Sequence, residues 1–83
     1  MNDQKLLMDL VGWVGAATLL IAYLLVSKGK VSAKTIFYQN LNIFGSLCLV
    51  INTYYYGTIS LVFLNAMWAL IGLYSLKTLI KKN

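Results

Sequence analysis

TIFYQNLNIFGSLCLVINTYYYGTISLVFLNAMWALIGLYSL, residues 35–76, contains no charged side chain, and its reading decides the fold. A helix that crosses a bilayer needs about 20 apolar residues, so this stretch is too long for one crossing. It divides at Tyr56-Gly57-Thr58, where glycine admits a turn. The halves are 35–56 and 59–78, the uncharged part of the second ending at Leu76. Upstream lies a third apolar run, residues 10–26, closed by the hydrophilic Ser27-Lys28-Gly29-Lys30. At about 1.5 Å rise per residue the uncharged runs reach roughly 25, 33 and 27 Å, near the roughly 30 Å hydrocarbon thickness of a membrane. The sequence therefore predicts an all-α membrane protein, a three-helix transmembrane bundle, as a single domain over 1–83 with spans at about 8–26, 35–56 and 59–78.

Composition agrees. Of the 83 residues, 60% are hydrophobic and 11% charged, far from the balance of a soluble domain. So short a chain cannot cover that much apolar surface with polar side chains. The first run follows Met1-Asn2-Asp3-Gln4-Lys5, which has no basic cluster, and no small-x-small site follows Val26. It is expected to be a permanent helix and not a cleaved signal.

The net charge of +5 rests on seven lysines with no arginine. These flank the apolar runs and build no face, which argues against nucleic acid as a partner. Lys28, Lys30 and Lys34 follow the first span, and Lys77, Lys81 and Lys82 follow the third; Lys5 stands alone on the other side. This bias predicts a multi-pass protein of the cytoplasmic membrane, N-terminus outside and C-terminus inside.

Inside a membrane the informative residues are polar or small. Thr35, Gln39, Asn42, Ser46, Leu49 and Thr53 recur at spacings of 4, 3, 4, 3 and 4, which places them on one helix face. Two readings stand. Amides and hydroxyls join helices at about 0.5–2 kcal/mol each, or they line a solute path. Gln39 and Asn42, near the membrane surface, suit the first; Ser46 and Asn52, deeper, suit the second. In the third span Asn65, Trp68, Gly72 and Ser75 share a face. An amide beside an indole suits an uncharged ring such as a sugar, by stacking and hydrogen bonding, although joining helices is the alternative here too. The first span carries Gly12, Gly15, Ala16, Ala17, Thr18 and Ala22. Gly12 and Ala16 form a small-xxx-small pair that lets another helix approach closely. Trp13, Tyr23 and the run Tyr54-Tyr55-Tyr56 mark membrane interfaces.

No enzyme is expected. Asp3 and Asp9 are the only acids, histidine is absent, and Cys48 is the one cysteine, so no nucleophile–base pair or metal set can form. No Gly-rich phosphate loop is present, and no cofactor is expected.

Val11-Gly12-Trp13, Gly45 and Leu64-Asn65-Ala66, with three spans, a short basic loop and a tight outer turn, resemble the SemiSWEET/PQ-loop group, bacterial half-transporters of sugars. The resemblance runs over about residues 10–79. Gly12-Trp13-x-Gly15, Ala22-Tyr23 and Leu64-Asn65-x-x-Trp68 resemble more closely a family of uncharacterised small bacterial membrane proteins. The SemiSWEET resemblance implies a parallel dimer of three-helix units with a pocket between protomers, and it matches Asn65 to that group's sugar-contacting asparagine. Two departures stand out. Leu25-Val26 occupies the place of the Pro-Gln pair, and Leu49 that of an expected tryptophan.

The expectation is thus a SemiSWEET-like homodimer that facilitates passage of a small neutral solute such as a sugar. Asn65 and Trp68 would contact the solute, with Asn52 and Ser46 facing them, and Gly12, Gly15, Ala16, Gly45 and Gly72 would pack helices. The alternative is a non-transporting interaction or regulatory subunit of a larger membrane complex.

Overall fold

The structure, a computed structural model, describes residues 3–81; Lys82, one of the lysines in the charge argument, lies outside them. The described residues form three helices: α1 (Asp3–Ser27), α2 (Ile36–Tyr55) and α3 (Ile59–Lys81). α1 begins a turn or more before its apolar run. Asp3 sits in its first turn, favourable for the helix dipole, and Lys5 bonds Asp9 one turn on at 2.9 Å.

Local chemistry fixes the helix ends. α1 and α2 both close in Schellman motifs. Lys30 N–H donates to Leu25 O at 2.9 Å and Gly29 N–H to Val26 O at 3.0 Å; Thr58 N–H donates to Thr53 O at 3.0 Å and Gly57 N–H to Tyr54 O at 3.1 Å. The motif needs a left-handed residue, and Gly29 and Gly57 supply it at φ 73° and 74°. Thr35 caps the start of α2, its Oγ1 accepting from the Tyr38 N–H at 3.2 Å.

α2 occupies the middle. It packs against both α1 and α3, and among the described residues no Cα of α1 comes within 8 Å of one in α3. The small residues set the approach. A Cβ on Gly15 would lie 2.7 Å from Cys48 Cβ and 2.8 Å from Gly45 O, and one on Gly45 would lie 2.8 Å from Leu19 Cγ. On the other side a Cβ on Gly72 would lie 2.9 Å from both Asn42 Nδ2 and Ile43 Cγ1.

Burial is inverted relative to a soluble protein. The buried positions are Gly12, Gly15 and Ala22 of α1, Gln39, Asn42, Gly45, Ser46 and Thr53 of α2, and Ala69 and Gly72 of α3. Large side chains such as Leu20, Phe44, Phe63 and Ile71 point outward. α1 and α3 are long and apolar enough to cross a membrane. α2 falls short by that measure because it holds Gln39, Asn40, Asn42 and Asn52. Gln39 and Asn42 are buried and Asn52 is half-buried, so only Asn40 among these amides faces outward.

Candidate functional site: the groove between α2 and α3

The seam between α1 and α2 is held by an amide. Asn52 Nδ2 donates to Met8 O at 2.9 Å, and Gly12 makes room for it, since a Cβ there would lie 2.4 Å from that nitrogen. Gly12, Gly15, Ala22 and, through its contact with Gly45, Leu19 form the α1 side. Ala16, expected to pair with Gly12, is exposed. The seam follows 3- and 4-residue steps through Gly15 and Leu19, which rotates Ala16 to its edge. There it lines a shallow groove of about 240 Å³ with Asp9, Gly12, Trp13, Leu49 and Asn52.

A small network joins the start of α1 to the turn after α2. Tyr56 donates its hydroxyl hydrogen to the Asp9 carboxylate, Lys5 bonds the other carboxylate oxygen, and the Lys5 ammonium lies 5.9 Å from the Tyr56 ring centroid. The hydrogen bond that Lys5 donates to Asp9 holds the Lys5 pKa above the ordinary lysine value, with Tyr56 adding to it. This network places Lys5 and the Gly57 turn at the same end of the molecule.

At the other end α2 and α3 leave an open groove of about 320 Å³, lined by Ala33, Tyr38, Gln39, Asn42, Trp68, Ile71 and Ser75. It runs on past Ala33, Gln39 and Ser75 into a second space of about 220 Å³ beside Lys34, Tyr74 and Thr78. Gln39 is 7% exposed. Its Nε2 donates to Ala33 O at 2.8 Å, which ties the loop to α2, while its Oε1 is buried with no partner. Trp68, 51% exposed, presents its indole along the same wall. The Asn42 amide, the Ser75 hydroxyl and an aromatic face together suit a small uncharged molecule with hydroxyl groups. Among the described residues no three potential metal ligands cluster anywhere.

The residues singled out from the sequence are thus dispersed. Trp68 lines the α2–α3 groove. Ser46 is 0% exposed and its Oγ has no partner. Asn52 serves the α1–α2 seam. Asn65 is half-buried, makes no side-chain hydrogen bond with the described residues, and is not on the groove wall. The polar stripe follows its reading by depth in part. Gln39 and Asn42, read as joining helices, press against α3 at Gly72 and also edge the groove, whereas Asn52, read as lining a cavity, joins helices. Tyr38 had no signal in the sequence; Ser75 had one, sharing a face with Trp68 at helical spacing.

The chain belongs to a protein family of unknown function whose model matches residues 8–83. No curated protein and no solved structure matches it.

Proposed function

We propose that this family member is a three-span protein of the cytoplasmic membrane, N-terminus outside, that works as a SemiSWEET-like homodimer and facilitates passage of a small uncharged solute. The observation that carries the solute reading is the Asn42 amide, which makes no side-chain hydrogen bond with the described residues and lines an open groove with Trp68 and Ser75. A polar group left without a partner in an apolar setting costs about 1–3 kcal/mol, which a solute hydroxyl recovers.

Three further features support the setting. The exterior of large apolar side chains around a core of small and polar residues is the distribution a lipid solvent favours. α2, though less apolar, is flanked by both other helices and turns its buried amides inward. Lys34 lies beside Thr78 and Leu79, so the loop lysines and those of the α3 end share one side, opposite Lys5, and that side is cytoplasmic by the positive-inside rule. The dimer rests on Asn65, whose half-buried amide makes no side-chain hydrogen bond with the described residues, and an amide left unpaired in lipid costs several kcal/mol. A second copy at the α3 face would supply its partner and wall in the groove. The alternative, a non-transporting subunit, draws on Asn52 and Gln39, whose Nδ2 and Nε2 hold backbone segments together.

Flux of neutral solutes into proteoliposomes tests the proposal. Trp68→Ala and Ser75→Ala remove side chains that line the groove. They are expected to lower flux at least tenfold while leaving the thermal unfolding midpoint within a few degrees of the parent. Absence of flux in the parent across sugars and polyols refutes the solute reading and leaves the subunit reading standing.

A further inference from the structure

α1 ends in a groove that neither the helix seams nor the solute groove uses. It encloses about 340 Å³ and is lined by Ile21, Leu24, Leu25, Lys28 and Lys30. Ile21, Leu24, Leu25 and Lys28 follow one another at 3, 1 and 3 residues, a single helical stripe. Lys30 joins them because the Schellman bond from its N–H to Leu25 O folds the chain back. The stripe lies away from the Gly12–Gly15–Ala22 seam, and Ile21 (53%) and Leu24 (46%) are exposed. The result is an apolar wall about one helical turn long with two ammonium groups at its mouth.

Among the described residues neither ammonium group is in an ion pair. Asp3 and Asp9 are the only acids in the sequence. Asp9, the nearer, lies 19 residues before Lys28, or roughly 28 Å along the helix, and is already bonded to Lys5 and Tyr56. The backbone N–H groups of residues 28–31 are spent on Leu24, Val26 and Leu25 carbonyls, so the lysine side chains are the donors that remain.

We propose that this groove is a binding site for an anionic diacyl phospholipid, such as phosphatidylglycerol. An acyl chain lies along Ile21, Leu24 and Leu25, and the phosphate sits between Lys28 and Lys30. Lysine is a strong point donor to phosphate, and an apolar stripe running into a basic mouth matches the two halves of a phospholipid. A soluble phosphate would use only the mouth. The proposal rests on the membrane setting proposed above and on neither the solute nor the dimer.

Native mass spectrometry of the detergent-solubilised chain, titrated with dioleoyl phosphatidylglycerol or dioleoyl phosphatidylcholine, tests it. The parent is expected to bind the anionic lipid at least tenfold more tightly. The double variant K28Q/K30Q is expected to lose most of that preference, about tenfold or more at two lysines. The double variant K77Q/K81Q removes the same charge from the same end and is expected to change binding less than threefold. Millimolar glycerol 3-phosphate is expected to leave the bound lipid in place. Equal weakening by both double variants would mean a diffuse field and overturn the site. So would equal binding of the two lipids, or displacement by glycerol 3-phosphate, which would mark a headgroup site alone. Lipid selectivity with no solute flux refutes only the transport reading; flux without lipid selectivity refutes only this one.

Discussion

Gly12 and Asn52 form a lock whose two halves can be removed separately. A Cβ added at Gly12 would stand 2.4 Å from Asn52 Nδ2, 2.7 Å from its Cγ and 3.3 Å from its Cβ. All three nearest atoms belong to one side chain. Gly12→Ala therefore displaces the Asn52 amide from its 2.9 Å bond to Met8 O or forces the helices apart. Overpacking of this kind costs about 1–3 kcal/mol, against which alanine returns up to about 1 kcal/mol of helix propensity. Asn52→Ala alone forfeits one interhelical hydrogen bond, about 0.5–2 kcal/mol. In the double variant Nδ2 and Cγ are gone and the new methyl meets only a Cβ at 3.3 Å, a tight contact relieved by a shift of a few tenths of an ångström. The double is expected to be as stable as Asn52→Ala or slightly more so, giving a coupling of about 1–2 kcal/mol.

Gly15→Ala is the control. Its Cβ would meet Cys48 Cβ at 2.7 Å and Gly45 O at 2.8 Å, atoms that truncating Asn52 does not remove. Its cost should persist in the Asn52→Ala background to within about 0.5 kcal/mol, and Gly15→Leu should cost still more. Equilibrium unfolding in mixed micelles, with thermal midpoints alongside, reads all of these values. If Gly12→Ala costs as much in the Asn52→Ala background as in the parent, the helices are not joined as described.

Two further expectations follow from single positions. Ser46→Ala removes a hydroxyl that is fully buried and has no partner, so stability should be unchanged or rise by up to about 1 kcal/mol; a loss larger than that would mean the hydroxyl is bonded in the assembled protein. In a Cys48→Ala background, a membrane-impermeant maleimide applied to intact cells should label Thr58→Cys and not Ser32→Cys, both positions being exposed, and the reverse pattern would invert the topology.

The three helices and the breaks between them were legible in the sequence because their causes are local, whereas the start of α1 at Asp3, a turn or more before the expected span, was not. Gly29 and Gly57 end helices through one backbone angle and bonds spanning six residues. Thr35 begins one through a bond spanning four. The stripe from Gln39 to Thr53 announced the buried face of α2 because a 3.6-residue period is a property of one helix. Rotation of one helix against another is not local. The sequence paired Gly12 with Ala16, whereas the seam runs through Gly15 and leaves Ala16 at its edge. Depth along α2 assigned Asn52 to a cavity and Gln39 to packing. Asn52 instead reaches a carbonyl 44 residues earlier, while Gln39 does pack, its Oε1 buried against Gly72 of α3. Adjacent residues on a helix point about 100° apart, so a modest rotation of α2 between its neighbours exchanges the amides that join helices for those that line a groove. The position of α2 between α1 and α3, and so which helix each amide meets, was decided only when three surfaces packed around Gly12, Gly15, Gly45 and Gly72. There the backbones approach until an added Cβ would collide, Gly12, Gly15 and Gly45 between α1 and α2 and Gly72 between α2 and α3, so the rotation of α2 has to satisfy both seams together.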